Sequence, residues 1–123
     1  VKHVHWITAE PYNWPVLIYV GTWAQFRAYL RRSEWKVDMG EGRFDGGFHA
    51  ALYNPRLGNA SVVWLPIDPR ETMQGVRALS HELLHAAFSI LRTVKVPIGY
   101  RNQEALAYLH EGLNRLAHRE LNA

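Results

Sequence analysis

The stretch from Asp68 to Thr93 constrains this chain most, because it joins a helix start to a long helical period. Asp68 is a predicted N-cap, Pro69 suits the first helical position, and Glu71 completes a capping box. Val76, Leu79, Leu83, Ala87 and Ile90 then form one apolar stripe, predicting a helix from Pro69 to about Thr93. That stripe needs a partner surface, and the preceding segments offer a sheet. Phe48 to Asn54 and Ser61 to Ile67 are β-prone runs flanking Pro55-Arg56-Leu57-Gly58-Asn59-Ala60, whose turn chemistry predicts an antiparallel pair.

The remaining segments extend this plan. Val1 to Thr8 is a β-prone stretch in which His3 and His5 share a face and read as exposed strand residues near a terminus. After a turn from Pro11 to Pro15, Val16 to Val20 suits a buried strand. Thr22 and Gln25 have capping-box spacing, and Trp23, Phe26 and Leu30 continue as a helical stripe to about Glu34. Arg31-Arg32 fits the C-terminal end of that helix dipole. Lys36 to Gly47 reads as a loop. Pro97 and Gly99 break the long helix, and Asn102 caps a last one whose seam is Leu106, Leu109, Leu113 and Leu116. The expected fold class is α+β: a small mixed or antiparallel sheet packed on a long helix and a C-terminal helix, in a single domain spanning 1–123.

Composition narrows the chemistry. The chain has no cysteine, so a disulfide framework and a thiolate metal site are both excluded, leaving His and carboxylate as the strong ligands. Net charge is +3 with the basic residues dispersed, which calls for no dedicated nucleic-acid surface. No apolar run approaches the ~20 residues that span a bilayer, and the amino terminus lacks a signal-peptide pattern; a soluble, intracellular protein is expected. Of the other histidines, His49 and His118 read as surface residues, and the tryptophans as core or rim aromatics.

Within the long helix stands His81-Glu82-Leu83-Leu84-His85. Residues i and i+4 lie one above the other, so the two imidazoles point the same way, and Glu82 sits at the edge of their face. With seven histidines in the chain, shuffling yields the motif about 0.03 times, so context must carry the reading. Two helical histidines leave a tetrahedral zinc one protein ligand short if water keeps a position. Glu104, on the last helix and off its leucine seam, is the favoured third ligand. Glu111 competes on the same face, and His110 ranks third.

His81-Glu82-Leu83-Leu84-His85 followed by Asn102-Gln103-Glu104-Ala105-Leu106-Ala107-Tyr108 resembles the gluzincin branch of the zincin metallopeptidases. The resemblance spans about residues 48–111, with specific motif letters only in 81–108. It implies that His81, His85 and Glu104 bind Zn²⁺, that Glu82 is the general base, and that a peptide or protein is the substrate. It also implies an edge strand that receives an extended peptide, for which Phe48 to Asn54 has the right position. Tyr108 stands where thermolysin-like members carry an Asp that orients the first histidine, and the chain has no room for their second domain. Tyr100, Tyr108 and His110 are the candidates for an oxyanion donor. Two other readings stay open: a zincin-like domain that binds zinc without turnover, and a nucleic-acid accessory protein akin to the SprT-like zincins, whose third histidine the spacing here does not match.

Overall fold

The computed structural model describes residues 2–37 and 46–123. Strands β1 (Val4–Ala9), β2 (Trp14–Val20), β3 (Lys36–Val37), β4 (Phe48–Asn54) and β5 (Gly58–Leu65) form one sheet in the order β1-β2-β5-β4-β3. Helix α1 (Trp23–Ser33) follows β2, while α2 (Met73–Thr93) and α3 (Gln103–Leu121) follow β5, a short 3₁₀ turn at Tyr100–Asn102 leading into α3. The sheet is mixed: β2 runs parallel to β5, and the other pairs are antiparallel. The α+β expectation holds in this form, and no described helix is long and apolar enough to cross a membrane.

The period-2 alternation of the central strands feeds two cores. Leu17, Tyr19, Val62, Trp64, Phe48, Ala50 and Leu52 face α1, where Phe26 and Leu30 complete an aromatic-rich layer. Val16, Ile18, Val20, Val63 and Leu65 face the other way, onto Leu79, Leu83, Ala87 and Ile90 of α2 and Leu109, Leu113 and Ala117 of α3. Each fully buried Leu or Ile on that face contributes roughly 1.5–3 kcal/mol of transfer free energy. Because both of their faces are covered, β2 and β5 are apolar almost throughout, whereas β4 alternates.

Several local expectations hold and others are revised. Thr22 caps α1 with the full reciprocal box, its hydroxyl accepting from the Gln25 N–H and the Gln25 side chain accepting from the Thr22 N–H. The entry to α2 differs. Asp68 caps a separate turn, its Oδ1 accepting the Arg70 N–H at 2.8 Å and Arg70 doubling back onto the carboxylate, while Thr72 is the true N-cap through the Gly75 N–H at 3.0 Å. A Cβ on Gly75 would lie 2.7 Å from Asp68 backbone atoms, so glycine is what lets this turn fold against the helix start.

At the amino terminus His5 is buried, not exposed, because α3 covers that face of β1. His3 Nδ1 meets the Val20 carbonyl at 2.6 Å and His5 Nε2 the Lys2 carbonyl at 3.0 Å, so each ring is committed to a different backbone group. The expected loop from Lys36 begins with strand β3, and its residues 38–45 lie outside the described residues. Among the described residues the sheet's edge position beside β4 belongs to β3, which pairs with Leu52 and Tyr53.

Candidate metal centre

Helix α2 rests on β5 and β4 through its apolar stripe, and this fixes where the opposite flank points. His81 and His85 emerge exposed on that flank, with Nε2 atoms 3.3 Å apart and rings edge to face. Two nitrogens each ~2.0–2.1 Å from a tetrahedral zinc are separated by about 3.3–3.4 Å, so the pair already has the spacing of a zinc-bound edge. An N–H···N hydrogen bond between the rings fits the same separation.

Glu82 is their counterpart in burial. Its side chain is 11% exposed while that of His81 is 66% exposed, and its Oε2 lies 4.0 Å from His81 Nε2. Burial holds its carboxyl above the usual carboxylate range, partly offset by the charges of His81 and His85. His81, Glu82 and His85 each offer a ligand atom within 4.8 Å of the others, a group that could hold a metal ion.

The three residues open into a cleft of about 950 Å³ between α2, the start of β4 and the segment after α2. Phe88 lines it, as its place on the histidine side suggests. So does His49, which sequence reasoning assigned to the surface. Its register partner on β5 is Val63, a residue of the α2-facing core, so the pleat turns His49 toward α2. Its Nε2 is buried without a hydrogen-bond partner, and its pKa is lowered to about 4, by burial first and then by His85. The alternation of Phe48, Ala50 and Leu52 against His49 was the available signal; it lacked only the knowledge of which face the helix covers.

The remaining ligand and donor candidates lie elsewhere. Glu104 is exposed in the first turn of α3 and belongs neither to the compact His81-Glu82-His85 group nor to the cleft lining. Glu111 is paired with Arg115 at 3.0 Å, and His110 is drawn to the Ser80 carbonyl at 3.0 Å, where it ties α3 to α2. Tyr100 and Tyr108 project into solvent, 88% and 70% exposed. Helix propensity and period placed Glu104, Tyr108, His110 and Glu111 on α3 correctly, but the rotation of α3 against α2 was set by packing of Leu109, Leu113 and Ala117.

Known protein families, curated proteins and solved structures offer this chain no match. The site must therefore be read from its own chemistry.

Proposed function

We propose that this protein is a zinc-dependent peptide hydrolase of gluzincin-like design. His81 and His85 hold the metal; the resemblance assigns the third position to Glu104, whose carboxylate lies outside the compact group and has to swing in from the first turn of α3 to reach it. The observation that carries the reading is the pairing of two imidazole nitrogens 3.3 Å apart with a buried carboxylate beside them, at the wall of a cleft large enough for a peptide.

When bound, a zinc ion supplies Lewis-acid polarisation of a carbonyl and acidification of water. The chain's own residues do the rest. The Glu82 carboxylate accepts a proton from the attacking water and returns it to the departing amine nitrogen. Its raised proton affinity suits both steps, since a very acidic carboxylate would be a poor base and would not hold the proton between them. His49 is neutral near pH 7 and lines the cleft, and its Nε2, buried without a partner, replaces Tyr100, Tyr108 and His110 as the preferred donor to the carbonyl oxygen, a role that requires the ring to turn toward the substrate. The wall formed by Phe88 and Ile98 keeps bulk water from one side of the substrate.

Glu82→Gln tests the assignment. The variant should retain its metal and lose at least about 10²-fold in cleavage of a mixed peptide library, the size of a typical general-base contribution. Retained turnover removes Glu82 from this role, and metal binding by a wild-type protein that cuts nothing favours a zinc-binding domain without catalysis.

A further inference from the structure

One end of the cleft carries two cations. Arg92 and Lys95 line the same cavity as His81, Glu82 and His85, and Glu82 is the only acid among its described lining residues. Both cations are exposed, and neither takes part in an ion pair among the described residues. An arginine in the last turn of a helix is explained by the dipole alone. The dipole favours Lys95 too, one residue past the α2 C-cap, but it does not explain a lysine in the left-handed position there.

The local backbone shows how Lys95 reaches the cleft. The Val96 N–H returns to the Leu91 carbonyl at 2.9 Å, the six-to-one bond of a Schellman ending, and Lys95 takes the left-handed position with φ 64°. Glycine occupies that position at no steric cost, whereas a lysine there bears a penalty. The turn carries the chain on through Val96, Pro97 and Ile98, which join Phe88 in the cleft lining.

Spacing along α2 converts this arrangement into a ruler. Arg92 follows His85 by seven residues on the same helical face, about 10 Å along the axis at 1.5 Å per residue. An extended peptide covers that distance in about three residues. Phe88 lies between them, three residues after His85 and four before Arg92.

We propose that the cleft selects peptides bearing a carboxylate roughly three residues from the bond lying over His81 and His85, with Arg92 and Lys95 holding the carboxylate and Phe88 and Ile98 an apolar side chain between. This deepens the hydrolase reading and rests on it for the position of the bond. The carboxylate belongs either to an internal Asp or Glu or to the peptide's own C-terminus, and both present the same planar anion to Arg92.

The experiment measures binding apart from cleavage. Zinc-loaded Glu82→Gln protein is titrated into fluorescein-labelled peptide amides with a central Leu-Leu and, three residues on, Glu, Gln or Lys, followed by anisotropy at low salt. The Glu peptide should bind at least about fivefold more tightly than the Gln peptide, with Lys weakest, as expected for two solvent-exposed ion pairs acting together at low salt. An all-neutral peptide with a free C-terminal carboxylate, compared with its amide, assigns the anion to side chain or terminus.

Arg92→Ala/Lys95→Ala should abolish the difference, and Arg92→Glu/Lys95→Glu should reverse it. Circular dichroism confirms that these surface variants fold. Equal affinities for the three peptides, or an acidic preference that survives in the double alanine variant, overturns the proposal. So does a single-stranded oligonucleotide that binds more tightly than the Glu peptide through the same two side chains. Acidic preference without any cleavage by wild-type protein removes the hydrolase reading and leaves this one standing.

Discussion

The two faces of the sheet are built from the same strands to different ends. On the α1 face Tyr19, Trp23, Phe26, Phe48 and Trp64 pack ring against ring, with centroids 4.9–6.4 Å apart, and the Trp64 indole N–H is satisfied by the Gly21 carbonyl. On the other face α2 and α3 bury an aliphatic core, yet where α2 passes β4 it leaves an orphaned imidazole nitrogen, a desolvated carboxylate and an exposed pair of histidines. Among the described residues the two buried side-chain atoms without a hydrogen-bond partner, His49 Nε2 at the cleft and His5 Nδ1 on β1 under α3, both lie on this second face. A chain tolerates unsatisfied buried groups when a ligand completes them.

Paired truncations put this contrast to the test. Phe26→Ala, at a fully buried position of the aromatic layer, should cost about 3–5 kcal/mol in denaturant unfolding. Phe88→Ala, at a 41% exposed position in the cleft, should stay within about 0.5 kcal/mol of wild type and weaken peptide binding instead. Equal losses at the two sites would erase the distinction between the faces.

Gly47 joins them, because it lines the cleft and directly precedes β4. Its φ is +111°, and a Cβ there would lie 2.6 Å from the Trp64 carbonyl oxygen. Gly47→Ala should therefore cost about 1–3 kcal/mol of stability and shift the start of β4, with a loss of cleavage beyond what global unfolding explains. An alanine variant with wild-type stability and activity would show that the close approach matters to neither face.

A smaller loss of stability than at Phe26 is expected at the ion pair at the entry to α2. Arg70 donates to Asp68 at 2.8 Å and holds its carboxyl below the ordinary 3.8. A carboxylate with a depressed folded-state pKa contributes stability above its unfolded value and loses it as pH falls through the lower folded one. Arg70→Ala should cost about 1–2 kcal/mol at pH 7, and the gap to wild type should close below about pH 4, as read from urea unfolding across that range. A gap independent of pH would assign the loss to packing by the arginine stem.

Much of this architecture was legible in the residues. The bounds of β4, the capping box of α1, the mid-helix position of His81 and His85, and the antiparallel β4–β5 pair all follow from local period and turn chemistry. Long-range facts were less accessible. Alternation tells which residues share a face but not which strand lies beside which, so the parallel β2–β5 pairing had no local mark. The Asp68 cap failed because two caps competed within five residues, and the hydroxyl of Thr72 won once Gly75 allowed the turn to close against the helix. His49 was misjudged for a similar reason: its surroundings come from a helix more than twenty residues away. The phase of α3, which leaves Glu104 exposed, depends on side-chain packing between helices that no single segment encodes.

The central claim concerns metal, so the decisive measurement is the metal content of the purified protein after dialysis against zinc. Wild type should retain about one zinc per chain and His81→Ala close to none, with Glu104→Ala bound markedly more weakly if that carboxylate closes the site. A wild-type protein that retains no more zinc than its His81→Ala variant would contradict the account.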